Sequence, residues 1–247
     1  MLSVIIITRN EAANIRDCIA SVVWADEIIV VDSGSSDGTA SIAQEMGAKV
    51  YLHTDWPGFG PQKNRALDYA TCDWVFSIDA DERVTPQLRT ELEQVMREGN
   101  ADGYYCPRLS QFCGTFIHHC GWYPDYVLRL FKREAGKFSD NLVHESVLLT
   151  GQTSRLKSPL LHYSYLTSHD VERKVEHYSN AAAQQMLAAG KRASFAGAIL
   201  SAGWAFVRTY VVRLGVLDGP AGWAISCMNA RTTYLKYRKL TALQRSA

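Results

Sequence analysis

Four short apolar runs, separated by longer stretches of helical character, fill the first hundred residues of the chain. The runs are Leu2–Thr8, Glu27–Val31, Lys49–Leu52 and Trp74–Ile78. Runs rich in β-branched residues, without polar alternation, are typical of strands buried on both faces of a parallel sheet. The pattern therefore predicts four buried strands in this half of the chain.

Helix signals lie between and after these runs, and they predict four helices. The helices are expected over residues 11–23, from the end of the loop "DSGSSDGT" to about residue 46, over 63–69 and over 85–98. The last of them has the clearest start, because Thr85 is a good helix N-cap and Pro86 suits the first helical position. Gly47 ends the second helix, since glycine readily adopts the conformation that follows a helix.

The alternation of strands and helices predicts an α/β fold, with an open, mostly parallel sheet and helices on both faces. After residue 100 the apolar runs become shorter, which favours a mixed or antiparallel portion. Three further helices are expected over 168–188, 193–217 and 221–239. We therefore expect an α/β domain over residues 1–165, with halves 1–100 and 101–165, and a helical C-terminal extension over 166–247.

Polar residues follow three of the predicted strands directly. Thr8, Asp32 and Asp79 each lie at or just beyond the carboxyl end of a strand. In open α/β sheets this edge is where ligands bind, so the three residues are expected to share a site. The loop after the first strand has neither G-x-G-x-x-G nor G-x-x-x-x-G-K-[ST], which argues against dinucleotide and P-loop sites.

The stretch "VFSIDADE" places Asp79 and Asp81 at the end of a buried strand. Buried carboxylates need a cationic partner, and Mg²⁺ or Mn²⁺ is commonly held by one or two carboxylates together with substrate phosphates. A D-x-D triplet alone is weak evidence for a cation site, because surface turns that cap a helix can contain it by chance. Its position on the same edge as Asp32 strengthens the interpretation as a divalent cation site.

Four stretches carry a resemblance to a known family: "VIIITRNEAANI", "IIVVDSGSSDGT", "GFGPQKNRALDYA" and "WVFSIDADERVT". In this order they resemble the inverting family-2 nucleotide-sugar glycosyltransferases of the GT-A fold. Further stretches, such as "GWYPDYVLRLFKR", "NLVHESV" and "VLDGPAG", extend the likeness nearly to the end of the chain. Within the family the sequence is similar to the bacterial lipopolysaccharide inner-core heptose β-1,4-glucosyltransferases.

The resemblance implies roles for residues of the first two loops. Thr8, Arg9 and Glu11 are expected to line the nucleotide pocket. Asp32 is expected to accept hydrogen bonds from the base, with Asp37 close to the same pocket. Ionised carboxylates suit such positions because they only accept hydrogen bonds.

It also implies roles around the diphosphate and the sugar. Lys63 and Arg65 are expected to approach the donor, and Asp79 to lie beside the ribose and the sugar. Asp81 is expected to reach the metal, with His162 as a further ligand, although a core histidine bonded to the backbone is an equally good interpretation of His162. Two cations near a helix start are also common on solvated surfaces.

Inversion of the sugar needs a general base that takes the proton of the acceptor hydroxyl. The candidates are Glu145 in "VHES", Asp125 in "YPDY" and Asp140. Glu145 is favoured because it follows a short strand, and Asp125, flanked by aromatic residues, is second. For Asp140 an ordinary loop position is the better interpretation.

Charge is distributed unevenly along the chain. Residues 191–247 contain nine Lys or Arg and one acid, a net charge of +8, so that residues 1–190 carry −7 of a total of +1. The same segment contains "ASFAGAILSAGWAFV", an uncharged run that is short for a bilayer span of about 20 residues. A basic, apolar tail favours an anionic membrane surface, since no nucleic-acid-binding fold is recognisable.

Six cysteines are scattered along the chain, and Cys106, Cys113 and Cys120 recur every seven residues. No C-x-x-C pair accompanies them, so reduced thiols are the better interpretation than a zinc site. Together with the absence of a signal-peptide pattern, this predicts a cytoplasmic protein bound peripherally to the inner face of the cytoplasmic membrane.

The expected activity is an inverting, metal-dependent transfer of glucose from UDP-glucose to a heptose of the lipopolysaccharide inner core. The expected partners are a nucleotide-sugar donor, a lipid-linked saccharide acceptor and an anionic membrane, without nucleic acid. One alternative is a family-2 enzyme of another polysaccharide or glycolipid. A sugar nucleotidyltransferase is a weaker one, because "TRNEAANI" lacks the glycine-rich basic loop. A catalytically inactive sugar-binding module is a third, separable by a donor hydrolysis assay.

Overall fold

A computed structural model describes residues 1–139, 146–165 and 168–246. The chain divides into two compact units. The first comprises Met1–Arg108 and Asp125–His162, and the second comprises Leu109–Pro124 and Tyr163–Ala247. The expected division at residue 165 stays a prediction.

The first unit is built on four parallel strands: β1 (Leu2–Thr8), β2 (Glu27–Asp32), β3 (Lys49–Leu52) and β4 (Trp74–Ser77). Their order in the sheet is β3-β2-β1-β4. The chain therefore reverses its direction of travel across the sheet between β1 and β4, at the kind of switch point where α/β folds bind ligands. The four predicted strands are confirmed.

The sheet is buried on both faces. Along β1, Val4 and Ile6 belong to one apolar cluster, whereas Ile5 belongs to another on the opposite face. All three are at most 1% exposed. Since successive strand residues point to opposite faces, an uninterrupted apolar run is what a strand covered on both sides requires.

Four helices cover this sheet: α1 (Ile15–Ala20), α2 (Thr39–Glu45), α3 (Phe59–Asp68) and α4 (Pro86–Glu98). Helix α4 begins as predicted, with the Thr85 hydroxyl accepting the Leu88 N–H at 3.1 Å. Helix α1 is shorter than expected, and α3 begins four residues earlier. Pro61 is tolerated in α3 because first-turn N–H groups have no intrahelical partner.

The remaining strands are largely antiparallel, in agreement with the change of pattern after residue 100. They are not all shorter than the strands of the first half, because Gly103–Phe112 and Asp125–Lys132 are longer than any of the four parallel strands. They are β5 (Glu82–Val84), β6 (Gly103–Phe112), β7 (Thr115–Phe116), β8 (Asp125–Lys132), β9 (Gly136–Phe138), β10 (Val147–Leu149), β11 (Thr153–Arg155) and β12 (Leu160–Tyr165). The main sheet continues beyond β4 in the order β8-β6-β12-β5. Strands β8 and β4 are antiparallel, as are β12 and β5.

The second unit is mostly helical. Its helices are α5 (Ser168–Ala188), α6 (Phe195–Val207) and α7 (Gly219–Ser246), and α7 contacts both of the others. The predicted helix over 193–217 is interrupted: α6 passes into a π-helical turn, Arg208–Val212, and then into a 3₁₀ turn, Gly215–Asp218. Leu214 adopts a φ of 55°, a left-handed conformation that ends the helical run.

The turn before α7 is fixed by Asp218. Its carboxylate accepts the backbone N–H groups of His118 and His119 at 3.2 and 2.9 Å and lies 2.9 Å from Nδ1 of His119. Gly222 follows in the stretch "LDGPAG", and a Cβ there would lie 1.8 Å from the carbonyl oxygen of Gly215. Only glycine fits this close backbone approach.

Among the described residues, one helical stretch has the length and composition of a membrane span. It is Phe195–Val212, 18 residues with a mean hydropathy of 1.4, of which 17% are buried. The run thus extends past the uncharged segment seen in the sequence, because the π-helical turn adds five residues to α6.

Candidate active site

A cavity of about 490 Å³ opens at the carboxyl ends of β1 and β4. It is lined by Ile7, Thr8, Arg9, Glu11, Trp56, Phe59, Lys63, Asp79, Ala80 and Asp81. Five of the eight residues expected to bind the nucleotide sugar are therefore brought together, along with the expected metal ligand Asp81. Trp56 and Phe59, whose rings pack edge to face with centroids 5.0 Å apart, were not expected from the sequence.

Asp32 does not line this cavity. It is 1% exposed and accepts four hydrogen bonds: from the Thr8 hydroxyl at 2.9 Å, from the N–H groups of Gly34 and Ser35 at 3.0 and 2.8 Å, and from the Ser35 hydroxyl at 2.5 Å. The carboxylate thus orders the loop after β2 and ties it to the end of β1. Its expected contact with the base stays a prediction.

Asp37 ties the second loop to the first. Its carboxylate accepts the Ala12 N–H at 3.0 Å and the Thr39 hydroxyl at 2.5 Å, and the Thr39 hydroxyl in turn accepts the Glu11 N–H at 2.8 Å. The hydrogen bond from Thr39 lowers the pKa of Asp37. Asp37 is exposed and outside the cavity lining, so it is placed to set the position of Glu11.

Arg65 also lies outside the cavity lining. Its guanidinium contacts the Asp55 carboxylate at 2.5 Å and the Gln62 side chain at 3.0 Å. Arg65 lies in the second turn of α3, and its contacts run along the helix and to the preceding loop. The expected approach of Arg65 to the donor stays a prediction.

Asp79 and Asp81 occupy the turn between β4 and β5. The Glu82 N–H donates to the Asp79 carbonyl oxygen at 2.9 Å, which closes the turn. Across the sheet, His162 of β12 is the register partner of Glu82. This pairing brings Nε2 of His162 to 3.2 Å from Oδ2 of Asp81.

Asp79 is held by two cations. Lys63 Nζ lies 3.0 Å from its Oδ1, and the Arg129 guanidinium lies 2.5 Å from its Oδ2. Arg129 also contacts Glu82 at 2.6 Å. Burial alone would raise the pKa of Asp79, but Arg129 and Lys63 hold it well below its usual range. In contrast, burial raises the pKa of Glu82.

Arg129 and Glu82 were missed by the sequence analysis. Arg129 is 6% exposed and Glu82 is 0% exposed, and Nε of Arg129 has no hydrogen-bond partner in the part of the chain that the structure describes. A signal was present, because "YVLRLF" places an arginine among apolar strand residues, where a charge requires a buried partner. Nothing in the sequence identified that partner as the residue after D-A-D.

A second cavity, of about 440 Å³, adjoins the first. Its lining comprises Lys63, Asp79, Tyr105, Arg108, Tyr126, Val127, Leu128, Arg129, Phe138, Ser146 and Val147. Lys63 and Asp79 are common to both linings. The ion pair between Lys63 and Asp79 is therefore the wall that the two cavities share.

One general-base candidate, Asp125, lies beside this second cavity. Asp125 precedes Tyr126 in β8, and its carboxylate contacts Arg108 at 2.6 Å. Glu145 and Asp140 lie outside the described residues. Ser146, which follows Glu145 in the sequence, lines the cavity. The choice between Glu145 and Asp125 stays a prediction.

The donor set suits a divalent cation. Asp81 and His162 offer one carboxylate and one imidazole, and such mixed ligands accept Mn²⁺ when substrate oxygens complete the shell. Within the described ranges, no group of three or more His, Cys, Asp and Glu side chains is close enough to hold an ion without other ligands. Cys106 and Cys120 are buried, whereas Cys113 is exposed.

These features define a glycosyltransferase of the GT-A type: a mostly parallel sheet, a ligand cavity at its carboxyl edge and a D-x-D turn facing that cavity. The sequence profile of the family described as "Glycosyl transferase family 2" matches residues 3–147, and the chain belongs to this family. The recognition made from the four sequence stretches is confirmed.

Relatives extend the similarity over nearly the whole chain. The lipopolysaccharide core biosynthesis glycosyltransferase LpsC of Rhizobium meliloti is 33% identical over 221 residues, covering 85% of this chain and 80% of LpsC. A protein of Rickettsia bellii named as an uncharacterized glycosyltransferase is 30% identical over 258 residues, covering 98% of this chain and 86% of its own length.

Among solved structures, the mannosyltransferase PcManGT of Pyrobaculum calidifontis, in complex with GDP-Man and Mn²⁺, superposes with a TM-score of 0.54. The match covers 94% of this chain and 73% of that one at 16% identity. At this identity the likeness concerns the fold, and it confirms the predicted GT-A architecture.

Proposed function

We propose that this glycosyltransferase moves glucose from UDP-glucose, with inversion, to a heptose of the lipopolysaccharide inner core. The observation that carries the proposal is the approach of Asp81 and His162 to 3.2 Å beside the cavity that contains Thr8, Arg9, Glu11 and Lys63. The similarity to LpsC, named for lipopolysaccharide core biosynthesis, supports the substrate class.

The first cavity is the proposed donor site. Its volume of about 490 Å³ lies within the range of small-molecule and cofactor sites. Trp56 and Phe59 offer aromatic faces, whereas Thr8, Arg9 and Glu11 offer polar groups at the strand end. Burial raises the pKa of Glu11. A partly buried carboxyl of this kind is suited to hydrogen bonding with a base or a ribose.

Asp81 and His162 are the proposed metal ligands, with Mg²⁺ or Mn²⁺ as the cation. When bound, the cation would neutralise charge on the departing diphosphate. Lys63 adds a fixed positive charge at the same wall, because its ion pair with Asp79 holds the ammonium in place at 3.0 Å. The side chains thereby bind and orient the donor before the acceptor arrives.

The second cavity is the proposed acceptor site, because its shared wall of Lys63 and Asp79 brings it next to the donor cavity. Arg108 is paired with Asp125, and Arg129 with Asp79 and Glu82. With these charges balanced and Tyr126 in the lining, the cavity suits an uncharged sugar ring. Glu145 is the proposed base, with Asp125 as the alternative.

The second unit is the proposed membrane-binding part. Large apolar residues along its helices are exposed to between 42% and 74%: Phe195, Ile199, Leu200, Trp204, Val207, Val211, Val212, Leu214, Val216, Leu217 and Trp223. A soluble surface seldom exposes so many neighbouring apolar side chains without a partner. The net charge of +8 over residues 191–247 favours an anionic bilayer as that partner.

The membrane proposal is tested by sedimentation of the full chain with vesicles. We expect binding to vesicles that contain phosphatidylglycerol and weak binding to pure phosphatidylcholine. The double variant Leu200→Ser, Trp204→Ser should lose most of this binding, whereas Val23→Ser, at an exposed apolar position of the first unit, should keep it. Equal binding of all variants, or self-association of the wild type that the double variant abolishes, would contradict the proposal.

The transfer itself is tested with the core oligosaccharide from a deletion strain as acceptor. With UDP-glucose and Mn²⁺, the purified protein should add one hexose, seen by mass spectrometry, and NMR should show a β-linkage to a heptose. GDP-mannose and UDP-N-acetylglucosamine serve as competing donors. Transfer from one of these instead, or a linkage to another sugar, would contradict the donor or acceptor assignment.

A further inference from the structure

Glu82 closes the D-A-D turn with both its backbone and its side chain. Its backbone N–H donates to the Asp79 carbonyl oxygen at 2.9 Å, and its carboxylate Oε2 accepts the Asp79 N–H at 3.0 Å. Residues 79 and 82 are thus joined by a reciprocal pair of hydrogen bonds. Ala80 and Asp81 lie between them, so this pair of hydrogen bonds, here called the clamp, fixes their position.

The clamp is anchored in the interior of the first unit. Glu82 is 0% exposed, and its other oxygen, Oε1, contacts the Arg129 guanidinium at 2.6 Å. Arg129 contacts Asp79 as well, so one guanidinium joins both ends of the turn. Arg83 adds a further brace by donating to the Ala80 carbonyl oxygen at 2.8 Å.

The same residue aligns the second candidate ligand. In the antiparallel pairing of β5 and β12, Glu82 is the register partner of His162. A displacement of residue 82 therefore moves the turn that carries Asp81 and also the ladder position opposite His162. Since the two side chains approach to 3.2 Å, a small shift is enough to separate them.

We propose that Glu82 is the positioning residue that holds Asp81 and His162 in the geometry required for a shared divalent cation. The inference rests on the proposed function, because it takes these two side chains as the metal ligands. Glu82 itself is directed to the turn and to Arg129. Groups that orient metal ligands in this way typically contribute 10- to 100-fold to metal affinity.

The test measures Mn²⁺ binding to the full chain in the presence of UDP, with the EPR signal of free Mn²⁺ as the readout. Glu82→Gln keeps the shape and an oxygen for the Asp79 N–H but loses the ion pair with Arg129, and we expect its Mn²⁺ affinity to fall about 10- to 100-fold. Glu82→Asp keeps the charge but is too short to hold both partners, and it should weaken Mn²⁺ binding similarly. UDP binding without metal should change much less than Mn²⁺ binding in both.

Glu27 provides a matched control for a purely structural effect. It is also a buried glutamate, 8% exposed, and it is held by Ser3, Thr71 and Lys49 away from the cavity lining. Glu27→Gln should lower the unfolding temperature and leave Mn²⁺ affinity unchanged well below that temperature. Wild-type Mn²⁺ affinity in folded Glu82→Gln and Glu82→Asp would overturn the inference, as would an equal loss in Glu27→Gln.

A further variant separates this inference from the proposed function. Asp81→Ala should itself weaken Mn²⁺ binding. If it does so and the Glu82 variants do not, only the positioning role fails. If Asp81→Ala binds Mn²⁺ as the wild type does, the assignment of the metal ligands fails, and the role of Glu82 fails with it.

Discussion

Nε2 of His162 lies 3.2 Å from Oδ2 of Asp81, although the two residues are far apart in the sequence. The pairing of β12 with β5 creates this approach, because it sets His162 opposite the residue that follows Asp81. A carboxylate and an imidazole at this distance, on the rim of a cavity of about 490 Å³, are the feature on which the metal-site predictions depend.

Asp81→Ala is expected to abolish transfer and metal-dependent donor binding without unfolding the protein, since the side chain is 31% exposed and faces the cavity. Calorimetry with UDP and Mn²⁺ measures the binding, and circular dichroism checks the fold. Asp73→Ala, which removes an aspartate side chain that is 86% exposed, is the control and should be neutral. Unchanged UDP–Mn²⁺ affinity in Asp81→Ala would refute the metal role.

Two substitutions of Asp32 separate a loop-ordering role from a direct contact with the base. Asp32→Ala removes all four hydrogen bonds, and we expect UDP affinity to fall roughly 10- to 100-fold, because hydrogen bonds to charged groups contribute about 1.5–3 kcal/mol. Asp32→Asn keeps an oxygen for the Gly34 and Ser35 N–H groups.

If Asp32 acts by ordering the loop, Asp32→Asn should bind UDP nearly as well as the wild type does. If the ionised carboxylate contacts the base, Asp32→Asn should lose affinity almost as far as Asp32→Ala. Titration of each variant with UDP distinguishes the two outcomes. A large fall in turnover with normal UDP affinity would show that neither role is correct.

The general base is tested with Glu145→Gln and Asp125→Asn in parallel. If Glu145 is the base, Glu145→Gln should bind the donor normally and lose about 10²- to 10⁴-fold in kcat, the usual share of general-base catalysis. Its pH–rate profile should also lose the acidic limb. Asp125→Asn should weaken acceptor binding by freeing Arg108 from its partner at 2.6 Å. Normal turnover of Glu145→Gln together with an inactive Asp125→Asn moves the assignment to Asp125.

Glu27 gives a prediction about stability and pH. Burial alone would raise its pKa, but hydrogen bonds from Ser3, Thr71 and Lys49 lower it from 4.5 to about 2. Because the folded pKa is below the unfolded one, the ionised group stabilises the fold fully above pH 4.5. This contribution is lost as the pH falls through about 2.

The size of that contribution is on the order of 3 kcal/mol above pH 5. We therefore expect Glu27→Gln to lower the free energy of unfolding by up to about this amount at pH 7, and the difference from the wild type to narrow at pH 3. Urea unfolding at both pH values measures it. A difference that is equal at pH 7 and pH 3 would mean that the ionisation of Glu27 contributes nothing.

The sequence predicted the parallel half of the sheet because its signals are local. The four strands follow from uninterrupted apolar runs, and the start of α4 follows from Thr85 and Pro86. The early start of α3 was missed because "WPGFGPQ" is rich in loop residues, although Pro61 falls in the first turn, where proline is tolerated.

The site was predicted in part, because some of its contacts depend on pairing between distant strands. Motifs at strand ends indicated most of the polar residues that line the first cavity, since parallel strands bring their carboxyl ends together. The buried network of Arg129 with Asp79 and Glu82 depends on pairing between β4 and β8, which no local pattern specifies. Asp32 was identified as important, but its four acceptor contacts within the fold became visible only in three dimensions.

The antiparallel pairing of β12 with β5 has a consequence for how the protein is made. The residues that line the first cavity all lie before position 82, so the ribosome releases them early, whereas His162 emerges only after most of the sheet strands. Contacts between distant segments form late because loop closure opposes them. A nascent chain would therefore contain the residues of the first cavity before it contains His162, the second proposed metal ligand. A cation bound by both Asp81 and His162 would bind only the completed fold. Added Mn²⁺ should therefore raise the free energy of unfolding by mass action.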